Sequence, residues 1–272
     1  MKRVAVTGAN GFIGNRVVEN LEERRISVVR VDASEGVDIL GPKLYAVLDG
    51  CDAVIHLAGV LGTAELFQTP ELAIKANVEG TCRILQACTD LNLHYVGITM
   101  PAVWYNVYQA TKKAARELAI AWHMHMNVPI CHVRAFNVFG PGQKTRPVQK
   151  IIPTFADRAW RGEPIPIWGD GNQRIDLIYV DDVARVLVDA LAYGDNEVFD
   201  AGTGKPMTVN EVARRILGVT GSPSTLEYLP MRKGEHKIDI FATGEGWEKL
   251  GWSPTFDEHD FASTVEWYRT SR

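Results

Sequence analysis

The sequence contains no run of 18 apolar residues, no Cys-x-x-Cys pair, no internal repeat and no low-complexity tract. Without a long apolar run, no membrane-spanning helix is expected. The four cysteines, Cys51, Cys82, Cys88 and Cys131, have neither paired spacing nor a histidine at metal-ligand distance. A disulfide framework and a zinc site are therefore not expected, and no metal is predicted. The thiols read as reduced and structural, in a cytoplasm, since nothing near Met1 resembles a signal peptide. Positive charge is not in surplus either: 29 Lys and Arg face 33 Asp and Glu, a formal charge of −4. That sign argues against nucleic acid as a partner. Any phosphate must be met by local donors.

What is present is a globular composition, 46% hydrophobic and 23% charged over 272 residues, enough for a sizeable core. The first half alternates apolar runs with helical stretches. Arg3 to Thr7, Ser27 to Val31, Ala53 to Leu57, Tyr95 to Thr99 and Ile130 to Val133 read as strands covered on both faces. Between them, Ile13 to Arg24, Glu71 to Asp90 and Val107 to His125 carry apolar residues at helical spacing. The pattern predicts an α/β fold with a doubly wound parallel sheet of the Rossmann type. After Asn137 turn residues become dense, and a smaller α/β lobe is expected there. It should hold a strand over Asp176 to Val180 and helices over Asp182 to Tyr193 and Val209 to Leu217. The expected division is residues 1–140 and 141–272, with strands from about 175–203 free to return to the first sheet.

The first strand runs into Thr7-Gly8-Ala-Asn-Gly11-Phe-Ile-Gly14, where a helix begins. Gly8 permits a tight turn, Gly11 lets the backbone approach a pyrophosphate, and Gly14 allows helix to pack on strand. Phosphates would then meet exposed helix N–H groups. Asp32 ends the second strand 18 residues beyond Gly14, placed to accept hydrogen bonds from an adenosine ribose. That favours NAD over NADP, although Arg30 lies nearby.

Tyr108 and Lys112 stand at i and i+4, on one helix face with Cβ atoms about 6 Å apart. A cation beside a phenol stabilises the phenolate, and the pair predicts a tyrosine pKa lowered toward neutrality.

These features, with His56-Leu-Ala-Gly59 and Asn77-Val-Glu-Gly-Thr81, resemble the extended short-chain dehydrogenase/reductases. Arg134-Ala-Phe-Asn137-Val-Phe-Gly-Pro-Gly, Gly171-Asn-Gln-Arg174-Ile-Asp-Leu-Ile-Tyr-Val-Asp-Asp-Val, Arg232-Lys-Gly-Glu and Leu250-Gly-Trp-Ser-Pro resemble the branch of NAD-dependent nucleotide-sugar epimerases and dehydratases. The resemblance implies Asp38 and Ile39 about adenine, Ala58 and Gly59 along the cofactor cleft, and Phe136 by the nicotinamide. It also gives Asn10, Phe12, Ile13, Leu57 and Asn77 as cofactor contacts. Asn137, Arg174 and Arg232 would hold the diphosphate of a nucleoside-diphosphate sugar.

The chain departs from that pattern after the fourth strand. The family places a catalytic Ser or Thr there and a long loop before the tyrosine, whereas eight residues separate Thr99 from Tyr108 here. The hydroxyl position falls on Thr99 or on Met100, and methionine cannot serve a sugar oxygen. No acid follows Thr99, so dehydration is not expected. Trp104 and Tyr105, near the stump of the shortened loop, either stack on a sugar or fill an apolar gap, the gap being favoured. The expectation is an epimerase acting through a keto-sugar, with Tyr108, Lys112 and Thr99 catalytic. A keto-sugar reductase and a dinucleotide-binding module without catalysis stand as alternatives. The helices over 71–90 and 107–125 further suggest a homodimer through a four-helix interface.

Overall fold

The computed structural model describes residues 1–101 and 104–270. The chain begins β1 (Arg3–Thr7), α1 (Phe12–Glu23), β2 (Ser27–Val31), α2 (Leu44–Leu48), β3 (Ala53–His56), α3 (Pro70–Ala73), α4 (Gly80–Asp90), β4 (His94–Thr99), α5 (Val107–Met126) and β5 (Ile130–Ala135). It continues β6 (Asn137–Phe139), α6 (Ile151–Trp160), β7 (Ile165–Trp168), β8 (Arg174–Ile175), β9 (Leu177–Tyr179), α7 (Val180–Asp189) and β10 (Asp195–Ala201). β11 (Met207–Thr208), α8 (Val209–Thr220), β12 (Leu226–Leu229), α9 (Trp247–Leu250) and α10 (Glu258–Thr270) follow. Among the described residues no helix is long and apolar enough to cross a membrane.

Six strands form one parallel sheet in the order β10-β5-β4-β3-β1-β2. Apolar strands can pair this way because helices cover both faces. On one face Val17, Val18 and Leu21 of α1 pack with Val183 and Leu187 of α7; on the other lie Leu44, Ile84, Leu85 and Ala119 from α2, α4 and α5. The strand order reverses between β1 and β3, the switch point at which open α/β sheets bind ligands. Register sharpens this: Thr7 pairs with both Val31 and His56. The glycine loop, Asp32 and Leu57 to Gly59 therefore leave the sheet at one edge.

The sheet receives a late strand, β10, beside β5. The other strands after residue 136 form three two-stranded pieces, β6 with β9, β7 with β12 and β8 with β11. They share a third core with α6, α8 and α10, built on Phe139, Phe155, Ile216 and Phe261. Buried carboxylates tie the loops down. Asp176 accepts from Thr203 N at 2.8 Å, Gly204 N at 2.8 Å and Ala242 N at 2.9 Å. Asp200 takes Arg134 at 2.7 Å and Thr243 N at 3.0 Å. A carboxylate with several acceptor sites can satisfy backbone donors that no ladder reaches.

The helix expected over Glu71 to Asp90 is interrupted. Between α3 and α4 the chain makes a π-helical stretch, Ile74–Glu79, that contains the buried Asn77. Such insertions cluster at functional sites because they re-aim a side chain.

Candidate active site

The glycine loop is closed to side chains. A Cβ on Gly14 would meet Gly8 O at 2.1 Å, and one on Gly8, whose φ is +68°, would meet Ala58 N at 2.9 Å. Helix α1 starts against this turn with Gly11 at its N-cap and no capping side chain. Its first N–H groups stay available to an anion. Asp32 accepts Asn10 N at 3.0 Å and Ser34 N at 3.0 Å, and these hydrogen bonds, helped by Arg30, outweigh burial and hold its pKa below the usual carboxylate value. Arg30 is itself occupied: its Nη2 donates to Asn10 Oδ1 at 2.8 Å and Asn15 Oδ1 at 2.7 Å. A tied guanidinium leaves an anionic ribose site, suited to hydroxyls rather than to a 2′-phosphate. Loop, helix end and carboxylate together fit an adenine dinucleotide. Nearby, Ile39 is buried beneath Gly80, and Asp38, exposed, caps Leu40 N at 2.8 Å.

Behind the loop a chain of hydrogen bonds reaches helix α5. Thr7 Oγ1 accepts Leu57 N at 3.1 Å and Ala58 N at 3.0 Å, so its own proton goes to His56 Nδ1, 2.7 Å away. His56 Nε2 then donates to Thr81 Oγ1 at 3.1 Å, which donates to Asn77 O at 2.7 Å. Burial drives the His56 pKa down to about 3, so the ring is neutral, as this network requires. The Asn77 side chain bridges Val60 N and Val60 O, both at 2.8 Å, and donates to Thr111 Oγ1 at 3.0 Å. Thr111 in turn donates to the carbonyl of Tyr108 at 2.9 Å. Gly59 is required here, because its Cβ would lie 2.7 Å from Asn77 Oδ1.

Helix α5 begins where Asn106 accepts Gln109 N at 2.9 Å. Tyr108 and Lys112 then line one cleft with Phe12, Ile13, Phe136, Asn137 and Arg232. The cleft encloses about 340 Å³. One electrostatic expectation needs correction: with protein groups alone, burial pushes the Tyr108 pKa up to about 12 and brings Lys112 down to about 8. Desolvation opposes both charged forms and is the cause of both shifts. Thr99 and Met100 both line the cleft at the end of β4, so a hydroxyl is at hand. Ala102 and Val103 of the shortened loop lie outside the described residues.

Two further expectations change. Tyr105 is 89% exposed and fills no gap, while half-buried Trp104 lines the cleft with an indole N–H that has no partner among the described residues. Arg174 does not line the cleft at all. It pairs with Asp239 at 2.8 Å and lies 5.6 Å from the Phe241 ring, while the next residue, Ile175, faces inward. Alternation along a strand turns adjacent side chains to opposite faces. Arg232 does line the cleft, 4.7 Å above the Trp168 ring, but is ion-paired with Glu235. Lys150, Thr154 and Gln173 also line it and were not singled out by the sequence. A lysine opening an apolar helical run, as in Lys150-Ile-Ile-Pro-Thr154, looks like any solvated helix start.

Comparison with known proteins places these features in a lineage. The model of the NAD dependent epimerase/dehydratase family matches residues 4–202. UDP-glucuronate 4-epimerase of Thermodesulfobacterium geofontis is 27% identical over an alignment covering 96% of this chain and 94% of the relative. That alignment runs to 308 positions, more than the 272 residues here, so the relative has segments that this chain lacks. The crystal structure of UDP-glucose 4-epimerase from Thermotoga maritima, with UDP-glucose, superposes with a TM-score of 0.92 at 27% identity, covering 99% of both chains. MoeE5 in complex with UDP-glucose and NAD superposes with a TM-score of 0.89 at 29% identity, covering 99% of both.

Proposed function

The chain belongs to the NAD dependent epimerase/dehydratase family, and from that premise we propose that it is an NAD-dependent epimerase of a nucleoside-diphosphate sugar. One observation carries the reading: Tyr108 and Lys112, a helical turn apart, line the same cleft as Phe12 and Ile13 of the glycine loop and as Asn137 and Arg232 beyond it. Gly8, Gly11, Gly14 and Asp32 would hold the dinucleotide, which when bound supplies a reversible hydride acceptor. Tyr108 takes the proton of a sugar hydroxyl and later returns it. Lys112, with its pKa near 8, is charged at neutral pH and favours the phenolate at the moment of transfer. Thr99 polarises the same oxygen. The keto-sugar so formed turns over within the cleft, and the stereocentre is inverted with no net redox change.

The relatives that carry UDP-hexoses make these the first substrates to try. NAD-loaded protein should interconvert a nucleotide sugar and its epimer without added NADH, and Tyr108→Phe should lose at least a hundredfold in kcat while retaining NAD. Full activity in that variant, or stoichiometric consumption of NADH by the wild type, refutes the reading.

The finer expectations rest on supporting features. Leu72 and Ile74, 51% and 53% exposed just ahead of α4, support a homodimer in which α4 and α5 pair with their counterparts. Four free thiols suit a reducing cytoplasm. Residues 1–140 would form the cofactor half, with α7 and β10 returning to it, and the rest of 141–272 the substrate half.

A further inference from the structure

Among the described residues lining the cleft, the Lys, Arg, Asp and Glu side chains are Lys112, Lys150, Arg232 and Glu235. Lys112 belongs with Tyr108. Arg232 and Glu235 pair with each other and are mostly covered, 21% and 11% exposed. Lys150 is left, with no hydrogen bond or ion pair to any described residue. It sits at the start of α6, where its carbonyl accepts Thr154 N at 3.0 Å. Walls of the cleft surround it, and burial together with Arg232 pushes its pKa down, while Glu65 and Glu235 oppose this from beyond contact distance. The side chain is half-buried and its ammonium opens on the cleft, so its donors are free for a ligand.

The neighbouring orphans indicate what kind of ligand. Arg232 Nε, Thr154 Oγ1, Trp104 Nε1 and Gln173 Oε1 are buried polar atoms of cleft residues without partners among the described residues. Buried polar groups are rarely left unpaired in a finished site. Arg232 Nε and Trp104 Nε1 can only donate, Lys150 Nζ brings three donors, and the Thr154 hydroxyl can add another. A set so weighted toward donors matches a ligand offering several acceptor oxygens and negative charge.

We infer that Lys150 receives the diphosphate of the substrate, aided by Arg232 Nε and Thr154 Oγ1, in the place the sequence suggested for Arg174. This rests on the nucleotide-sugar reading above. Arg232 alone is neutralised by Glu235, and Ile175 brings no charge, so Lys150 supplies the cation a dianion needs. A diphosphate presents more oxygens, spread more widely, than a single sugar carboxylate, and so answers the spread of donors better.

The test uses NAD-loaded protein and titration calorimetry with UDP, dTDP and GDP. Wild type should bind at least one of them. For the tightest, Lys150→Ala should lose roughly 10- to 100-fold in affinity, as expected for a hydrogen bond to a charged group, and Lys150→Arg should recover most of it. Both variants should retain NAD and the wild-type melting temperature. KM should rise by the same factor for a nucleoside-diphosphate hexose and for the corresponding uronate. A loss confined to the uronate places a sugar carboxylate at Lys150 and overturns the assignment. Affinity within twofold of wild type in Lys150→Ala also overturns it while leaving the epimerase reading intact. Wild type that retains NAD yet binds none of the three diphosphates defeats that reading, and this inference with it.

Discussion

Arg174 and Ile175 are neighbours in sequence with opposite fates: the arginine is held outside by Asp239 at 2.8 Å, and the isoleucine lines the cleft. Arg174→Ala should therefore change KM for a nucleotide sugar by less than about twofold. The pair is 49% and 40% exposed, so stability should fall by no more than about 1 kcal/mol in a denaturant titration. A tenfold rise in KM would contradict the outward placement.

Lys112 gives a pH dependence whose sign is fixed by its lowered pKa, about 8 in the fold against 10.5 for an unperturbed lysine. Below pH 8 the lysine is protonated both folded and unfolded, and the fold bears the full cost of holding the charge. Between about 8 and 10.5 the unfolded chain binds more protons, so stability rises with pH. Lys112→Met removes that term. Without cofactor the variant should be stabilised relative to wild type at pH 7, on the order of 1–3 kcal/mol, with the advantage shrinking toward pH 10.5. Melting curves across this range check it; a difference that does not vary with pH contradicts the cause assigned.

Gly14→Ala places a methyl against backbone, 2.1 Å from Gly8 O, which no rotamer can relieve. Loss of NAD retention and a drop in melting temperature are expected. Gly221→Ala is the comparison: φ is +62° but nothing lies within 4 Å, so it should cost about 1–2 kcal/mol and leave NAD bound. Equal behaviour of the two variants would count against the packed cradle.

Asp176 is fully buried and accepts N–H groups from Thr203, Gly204 and Ala242. Asp176→Ala should destabilise by on the order of 3 kcal/mol or more, because the buried donors lose their acceptor. Asp176→Asn keeps one oxygen and should fall between. Chemical denaturation measures both, and a loss below about 1 kcal/mol in the alanine variant would show that water replaces the carboxylate.

The parallel sheet was legible because strands buried on both faces are apolar throughout and helices of ten or more residues repeat their pattern. Ends differ by one or two residues: β5 extends to Ala135 and α5 to Met126. In the later half β6, β8, β9 and β11 have only two or three residues, too short for any period. β7 and β12 pair Ile165 with Leu226, a partner chosen by the fold and invisible locally. The site divides in the same way. Gly8, Gly11, Gly14, Asp32, Tyr108 and Lys112 could be found because their spacing along the chain is the signal. Lys150, Thr154 and Gln173 converge only in three dimensions, and Arg174 was assigned to the cleft although its side chain faces away, one position from the residue that lines it.

The polar chain from Thr7 to Tyr108 passes each proton in one sense, and neutral His56 at its middle does not reverse that sense anywhere near physiological pH. Its members, Thr7, His56, Asn77, Thr81 and Thr111, are all buried, so the turn after β1 and the start of α5 are tied together through the interior of the molecule.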